Sequence, residues 1–466
     1  MASSAGGAFD ASFSSYWERF NSTKRCFESD SGLARPIHIV DLPKSVDPQS
    51  QGTQTIRKRD ISNIEALENL LNDGAHREIQ FRFISIYQKN SWSRLQITKP
   101  MLKRIVEFYS INAEFLEVPL CFFDRLADED QAFCVPWTMT EDSRSYQMFY
   151  TFRYAEHKGH PNESWVIRQS GVYHQYDKGK NASLFILLDP VPDSVAQKRI
   201  LECFANSHEK IKKNPLLLHS IVHTSYFVRW REYLAQYERN LLSIADTTTA
   251  TLISKPLRIS HDTLCKVRSL ESRFTPLPAI IANFVDMLDG LEALSRILSL
   301  TGSLTEDDQQ QLANRLDNCR RQSRTFTRTA QFLQQRSINT ATLLADTLAF
   351  RNQGVAQEQN SSIIILTRSA VFITVITLIY LPWTLVTGLF GMEFFELDPK
   401  TRLLITSPQI WIYFVTAASV TIVTACLYYV MAGFPRLHRC TQMSEKNKDF
   451  VPLSLRRGCT DVENSA

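Results

Sequence analysis

Residues 369–390 read SAVFITVITLIYLPWTLVTGLF, and no charged side chain interrupts them. As a helix this run of about 22 residues rises about 33 Å, which matches the roughly 30 Å hydrocarbon core of a bilayer. A second uncharged run of similar length, residues 410–431 (IWIYFVTAASVTIVTACLYYVM), follows after a short connector. Core helices of soluble proteins are usually shorter and broken by polar groups, so the two runs read as two membrane-crossing helices. Arg368 stands at the start of the first, where its long side chain reaches the interface. Trp411 and Tyr413 at one end of the second run, and Tyr428 and Tyr429 at the other, suit interfacial aromatic belts.

Basic residues set the orientation. The connector 393–409 carries Lys400 and Arg402 against Glu393, Glu396 and Asp398, whereas the tail carries Arg436, Arg439, Lys446, Lys448, Arg456 and Arg457. Positive flanks stay on the cytoplasmic side, which places the tail there and, with two crossings, the large N-terminal part as well. A multi-pass membrane protein with both termini cytoplasmic is therefore expected. The plasma membrane is the first expectation and an organelle membrane the alternative.

The first span is two-sided. Thr367, Ala370, Thr374, Thr377, Leu381, Thr384, Gly388 and Gly391 recur at alternating intervals of three and four, which is one stripe of a helix. The stripe is mostly small or hydroxylated, while the rest of the span is Ile, Leu, Val and Phe. Lipid offers nothing to a hydroxyl, so the stripe is expected to face protein or water. Close helix packing and a pore wall both account for it. Pro382 has no N–H to give the carbonyl of Leu378, so a helix kink is expected there, and the freed oxygen needs water, a hydroxyl or an ion.

Upstream, Thr305-Glu306-Asp307-Asp308 has the hydroxyl and the acids of a helix start, and no proline follows until Pro382. A helical stalk over 305–368 that feeds the membrane domain 369–431 is expected, either unbroken or interrupted near 335–339 or at Gly354. Residues 37–304 read as a cytosolic α/β domain. Within it 79–87, 148–154, 165–176 and 183–188 are rich in aromatic and β-branched residues between turn-formers, as strands are. Residues 99–111 have helical spacing. After Asp189-Pro190-Val191-Pro192 the pattern turns helical, over 216–241 and 261–300. Residues 1–36, small, polar and without period, are expected to be a loosely ordered N-terminal segment, and 432–466 a basic cytosolic tail. The fold class expected is an α+β cytosolic domain with a long stalk helix and two C-terminal transmembrane helices.

The remaining features narrow the function by exclusion. A net charge of +4, with no Lys/Arg block interleaved with aromatics, gives nucleic-acid binding no footing. The nine cysteines are scattered, odd in number and never spaced CxxC, which fits a reducing compartment rather than a disulfide scaffold or a cysteine zinc site. No basic segment followed by an apolar run is readable at the N-terminus as a secretory signal. Walker loops, nucleophile elbows and Rossmann glycine fingerprints are absent, so no enzyme is expected. His219 and His223 stand four apart, a spacing able to hold zinc, yet Ser220 and Ile221 follow the first, so HExxH is absent and a structural role is expected. His157 and His160 flank a Lys-Gly loop as surface residues.

The run Pro382-Trp383-Thr384-Leu385-Val386-Thr387-Gly388-Leu389-Phe390-Gly391-Met392-Glu393 resembles the end of the first membrane helix of the CorA magnesium-channel family. That pattern is proline, any residue, threonine, three residues, glycine, any residue, an aromatic, then Gly-Met-Asn, and the spacing agrees without insertion. The layout is similar too, and residues 165–177 (WVIRQSGVYHQYD) look like fungal CorA-like proteins. The resemblance implies a CorA-like funnel: a homopentamer whose central pore is lined by the first span of each subunit. The pore wall would then be Thr367, Ala370, Thr374, Thr377, Leu381, Thr384 and Gly388, with Pro382 as the helix kink, Leu381 as an apolar constriction and Thr384 near the mouth. Gly391, Met392 and Glu393 would form the selectivity entrance, with Glu393 meeting the metal ion. The implied cargo is a divalent cation, with no cofactor; the implied partners are copies of the chain and the bilayer, not nucleic acid.

Glu393 is the departure, since the family has asparagine there. Magnesium sheds water reluctantly, so a ring of neutral amides reading its hydration shell makes physical sense. A carboxylate ring concentrates cations but sorts them less by shell geometry, and its members repel one another. Zinc or another divalent ion therefore stands beside magnesium, as in the related ZntB-type transporters. The alternative is a membrane-anchored binding or signalling protein of the same architecture without conduction. The family's cytosolic metal-sensing acids have no readable place here. Asp346 lies on the stalk, and the acids at 306–308 read as a helix start.

Overall fold

The computed structural model describes residues 14–29, 35–44, 56–73, 78–127, 129–159, 165–250, 260–390, 395–397, 404–406, 408 and 410–446, with the backbone alone at 390, 395–397, 404–406 and 431–446. The chain divides into two compact units, Met1–Ala349 and Phe350–Ala466.

The first unit is built on a seven-stranded sheet. A helix, α1 (residues 14–22), precedes it and buries Phe20, with Cys26 and Phe27 buried just after. The elements β1 (Ile37–Pro43), β2 (Arg57–Ile61), α2 (Ile64–Asn72), β3 (Ile79–Tyr87) and α3 (Lys99–Phe108) follow, then a short turn of helix, α4 (Glu117–Leu120). The sheet is completed by β4 (Thr138–Glu141), β5 (Ser145–His157), β6 (Trp165–Asp177) and β7 (Ala182–Asp189). Strand order is β2-β1-β3-β7-β6-β5-β4; β3 and β7 pair in parallel and every other pair is antiparallel.

Both faces of the sheet are covered, which is why its central strands carry nearly continuous apolar runs. Alternate residues point to opposite faces. Phe81, Phe83, Tyr150, Phe152, Phe185 and Leu187 join one core, and Ile84, Ile86, Phe149, Tyr173, Ile186 and Leu188 join the other. α2 and α3 cover the second face through Leu67, Leu70, Met101, Leu102 and Ile105. The four strands expected from sequence are β3, β5, β6 and β7. The strands not expected from sequence are β1 (IHIVDLP), whose short apolar run is interrupted by a buried aspartate, and the edge strands β2 (RKRDI) and β4 (TMTE).

The first face packs against α5 (Val195–Lys213), α6 (Leu217–Tyr226), α7 (Arg229–Thr249), α8 (His261–Phe274) and α9 (Leu277–Leu300). The stretch 216–241, continuous by period, is two helices. The chain turns at Phe227 and Val228, where the buried Phe227 ring stacks on Phe284 at 5.2 Å between centroids. α10 (Glu306–Phe390) is one helix of 85 residues, unbroken at 335–339 and at Gly354. Thr305 caps it: its hydroxyl accepts from the Asp308 N–H at 3.2 Å and donates to the Asp308 carboxylate at 2.7 Å. Leu312, Leu316, Ala330, Leu333, Ala341 and Leu344 of α10 are buried in the first core, which ties the early part of this helix into the first unit.

The second unit contains the end of α10 and α11 (Ile410–Lys446), joined by a two-stranded hairpin, β8 (Phe395–Leu397) and β9 (Leu404–Thr406). Both helices contain stretches long and apolar enough to cross a membrane. This is the predicted arrangement of a mixed α/β domain, a long helix and two C-terminal spans.

Candidate pore helix

The apolar end of α10 is exposed on most of its circumference. Phe372, Ile376, Tyr380 and Leu385 are exposed, and so are all seven stripe residues, Thr367, Ala370, Thr374, Thr377, Leu381, Thr384 and Gly388. The faces are told apart by their contacts. Trp383 meets Tyr413 and Phe414 of α11 edge-on, at 6.1 and 6.2 Å between ring centroids. Thr387 lies 2.9 Å from the Tyr413 hydroxyl. Pro382 and Val386 are buried on this side of α10, and Ala417 is buried on α11. At about 100° per residue, the side carrying Pro382, Trp383, Val386 and Thr387 is centred roughly opposite the stripe. The second span thus occupies one side of the first, and the small and hydroxylated side is turned away from it.

The hydroxyls of the stripe are oriented by their own backbone. Thr367 donates to the Ile363 carbonyl at 2.7 Å, Thr374 to Ala370 at 2.8 Å, Thr377 to Ile373 at 2.8 Å and Thr384 to Leu381 at 2.9 Å. A carbonyl only accepts, so each hydroxyl commits its hydrogen inward and presents lone pairs outward. The stripe is therefore a ladder of acceptors, suited to the outward-pointing hydrogens of a hydrated cation. The same inward bond also relieves a hydroxyl that has no outside partner. The helix passes through Pro382 without ending.

Among the described residues, no group of three or more His, Cys, Asp or Glu side chains is arranged to hold a metal ion. Asp346 is exposed on α10, and Glu306 to Asp308 serve the helix start described above. His219 and His223 are fully buried against the sheet, where their spacing serves hydrogen bonds to Tyr150. The histidine they meet from β6, His174, gave no signal in sequence because it lies on a different element, brought close only by the sheet. The Thr387–Tyr413 contact was likewise illegible, since Tyr413 reads equally well as an interfacial belt residue.

Family comparisons agree along the chain. A family described as CorA-like transporters matches residues 5–138 and 137–249, more than half of the 466 residues, and one described as CorA-like Mg2+ transporter protein matches residues 227–431. The chain belongs to the CorA-like transporter family. No curated protein sequence matches it. Among solved structures, this CorA-like chain is similar to the CorA magnesium transporter from Methanocaldococcus jannaschii, with 14% identity over 84% of this chain and 96% of that one and a TM-score of 0.31. It is also similar to the full-length CmaX protein, at 13% identity over 85% and 97% with a TM-score of 0.38. The ZntB cytoplasmic domain from Vibrio parahaemolyticus matches at 12% identity over 68% and 99%, with a TM-score of 0.36. The CorA-like match to residues 227–431 takes in both spans and their connector. Gly391, Met392 and Glu393 of that connector lie outside the described residues.

Proposed function

We propose that this protein is a subunit of a homo-oligomeric channel, a pentamer on the family's pattern, that passes divalent cations along an axis lined by the first span. The observation that carries this reading is the two-sidedness of that span. One side is used by Trp383 and Thr387 against α11, and the opposite side offers hydroxyl lone pairs that no other described residue of the chain uses. A second copy, then a third, brought together on this side would surround an axis with acceptor oxygens. Thr367, Ala370, Thr374, Thr377, Leu381, Thr384 and Gly388 form the wall in this reading, Leu381 the apolar constriction, and Gly391, Met392 and Glu393 the entrance. The segments 37–304, 305–368, 369–431 and 432–466 are assigned as cytosolic domain, stalk, membrane domain and tail, with both termini cytoplasmic at the plasma membrane.

A carboxylate at the entrance, in place of a neutral amide, draws cations by charge and relaxes discrimination by hydration-shell geometry. The cargo is therefore assigned as divalent cations broadly, magnesium and zinc included. Purified full-length protein in liposomes, assayed with magnesium, zinc, nickel and cobalt, tests both claims. Flux of more than one of these ions is expected, and Glu393→Asn is expected to shift the preference toward magnesium. Absence of flux for all four ions would leave an architecture retained without conduction. Flux with unchanged preference in Glu393→Asn would remove the entrance ring as the filter.

A further inference from the structure

A fully buried polar assembly of the first unit lies between the sheet and α6, and the transport reading does not use it. His174 Nδ1 is 3.0 Å from His219 Nε2, His219 Nδ1 is 2.8 Å from the Tyr150 hydroxyl, and that hydroxyl is 3.0 Å from His223 Nε2. The four side chains form one unbranched chain, Tyr150 from β5, His174 from β6, and both other histidines from α6. All are at most 3% exposed. The two ends, His174 Nε2 and His223 Nδ1, are buried with no hydrogen-bond partner among the described residues.

Counting hydrogens shows what this arrangement does. Three neutral imidazoles and one phenol carry four titratable hydrogens, and the three gaps of the chain take one each. The fourth must sit at one end, on His174 Nε2 or on His223 Nδ1, so the neutral chain runs in either direction and always leaves one buried N–H and one buried lone pair. One added proton fits without breaking a bond, because both ends then carry hydrogen, but it places a cation in an apolar shell. A second added proton forces two hydrogens into one gap and breaks the chain.

The rings that form the shell supply no carboxylate to offset a cation. Phe81 from β3 and Phe185 from β7 pack on His174. Phe185 and Trp137 pack on His219, and Phe152 from β5 and Phe284 from α9 pack on His223. The charge neighbours of His219 are the other two histidines, which oppose its protonation. Beyond the shell, Tyr226 on α6 stacks on Tyr154 and lies near the buried Asp189, and Arg199 of α5 donates to Thr224 and Ser225 on the outer side of α6.

We propose that Tyr150, His174, His219 and His223 form an acid-released latch that holds α6 on the sheet while its histidines are neutral and lets go when three protons are taken up together. Burial lowers all three histidines, His174 and His223 to about 3, so the docked form does not take protons near neutrality. Once α6 lifts away the imidazoles return to their ordinary value of about 6.5. The docked form is therefore fully favoured above about pH 6.5 and loses its advantage as pH falls below that value toward about 3. With three sites opening together, the undocking equilibrium is expected to rise about 10³-fold between pH 7.5 and pH 5.5, tenfold for each histidine uncovered.

Amide hydrogen exchange of residues 217–226 in the full-length protein in lipid nanodiscs, corrected for the intrinsic pH dependence of exchange, reads this equilibrium directly. The expected result is a rise approaching 10³-fold over that interval. A rise of tenfold or less would overturn the latch, because at most one histidine would then be uncovered. Tyr150→Phe removes the hydroxyl that joins His219 to His223 and keeps all three imidazoles. It is expected to lower protection of α6 at pH 7.5 while preserving the steep pH dependence, and unchanged protection at pH 7.5 would show that the chain does not hold the helix. His219→Gln is expected to reduce the pH dependence to about 100-fold.

Discussion

Leu344 and Leu381 lie on the same helix and live by opposite rules: the first is fully buried in the core of the first unit, and the second is 65% exposed. Their polar neighbours differ in the same way. In the first unit buried charged and aromatic-nitrogen groups are satisfied by residues far away in sequence, as Asp41 is by Arg82 and His174 by His219, although buried helix hydroxyls such as Ser323 and Ser337 turn back to their own helix. In the second unit the hydroxyls of Thr367, Thr374, Thr377 and Thr384 turn back to carbonyls three or four residues earlier on the same helix. A chain folded in water hides apolar surface and needs tertiary partners for what polar groups it buries. A helix in lipid leaves apolar surface outside and must satisfy its polar groups locally. The first unit should therefore be fragile to the loss of single long-range partners, and the second largely indifferent to them.

The sharpest way to test that contrast is the ion pair between β1 and β3. Arg82 donates to Asp41 through Nε at 2.6 Å and Nη2 at 2.7 Å, and through Nη1 to the Tyr109 hydroxyl at 2.7 Å. Both charged side chains are at most 3% exposed, and they sit directly opposite in the antiparallel register. Asp41→Ala leaves a guanidinium buried without its carboxylate, and a loss of about 3–5 kcal/mol is expected. Tryptophan fluorescence during denaturant unfolding of the full chain measures it, since five of the seven tryptophans, Trp17, Trp92, Trp137, Trp165 and Trp230, lie in the first unit. A loss below about 1 kcal/mol would mean the pair is as inert as a surface salt bridge.

A smaller effect tests packing rather than charge. A Cβ on Gly290 of α9 would lie 2.3 Å from Cδ1 and Nε1 of Trp137. Trp137 cannot simply swing aside, because its ring faces Tyr150 at 5.4 Å and His219 at 6.3 Å. Gly290→Ala is expected to cost about 1–3 kcal/mol, measured in the same unfolding assay. Since the displaced ring presses on the histidine chain, the variant should also lower hydrogen-exchange protection of α6 at neutral pH. A variant as stable as the parent, with α6 equally protected, would show that the ring has room to move.

The two units also differ in how much of them the sequence discloses. The spans are legible because the bilayer imposes length and freedom from charge on a contiguous stretch, so residues 369–390 declare themselves without knowledge of any partner. The stripe is legible for the same reason, since helical spacing alone puts Thr367 and Gly388 on one side. Central strands such as β7 (ASLFILLD) show through because both sheet faces are covered, so the run from Leu184 to Leu188 is apolar throughout. What does not show is pairing. Nothing near Asp41 announces Arg82, and nothing near His219 announces His174, because those contacts are set by strand register and helix docking over long separations. Edge strands such as β2 (RKRDI) are invisible for the converse reason: half of each edge is solvated and carries charge. Pro382 reads as a kink within the first span, and α10 continues through it, which a membrane helix tolerates when neighbouring groups take up the freed backbone oxygen.

The least effect is expected at the hydrogen bond between Thr387 and Tyr413, which joins the two spans. The Thr387 hydroxyl donates to the Trp383 carbonyl at 2.7 Å, so at 2.9 Å it must accept from the Tyr413 hydroxyl. Tyr413→Phe removes that donor and keeps the ring that meets Trp383 edge-on, and Thr387 still has its own backbone carbonyl. Interhelical hydrogen bonds of this kind contribute about 0.6 kcal/mol on average, because in the membrane a deprived hydroxyl readily finds another partner. A double-mutant cycle of Tyr413→Phe with Thr387→Val, read from reversible unfolding in mixed micelles, should therefore return a coupling of about 0.6 kcal/mol, several-fold below the loss expected at Asp41. A coupling as large as the Asp41 effect would mean that the membrane unit also depends on single tertiary partners, and the division drawn between Leu344 and Leu381 would not extend to polar groups.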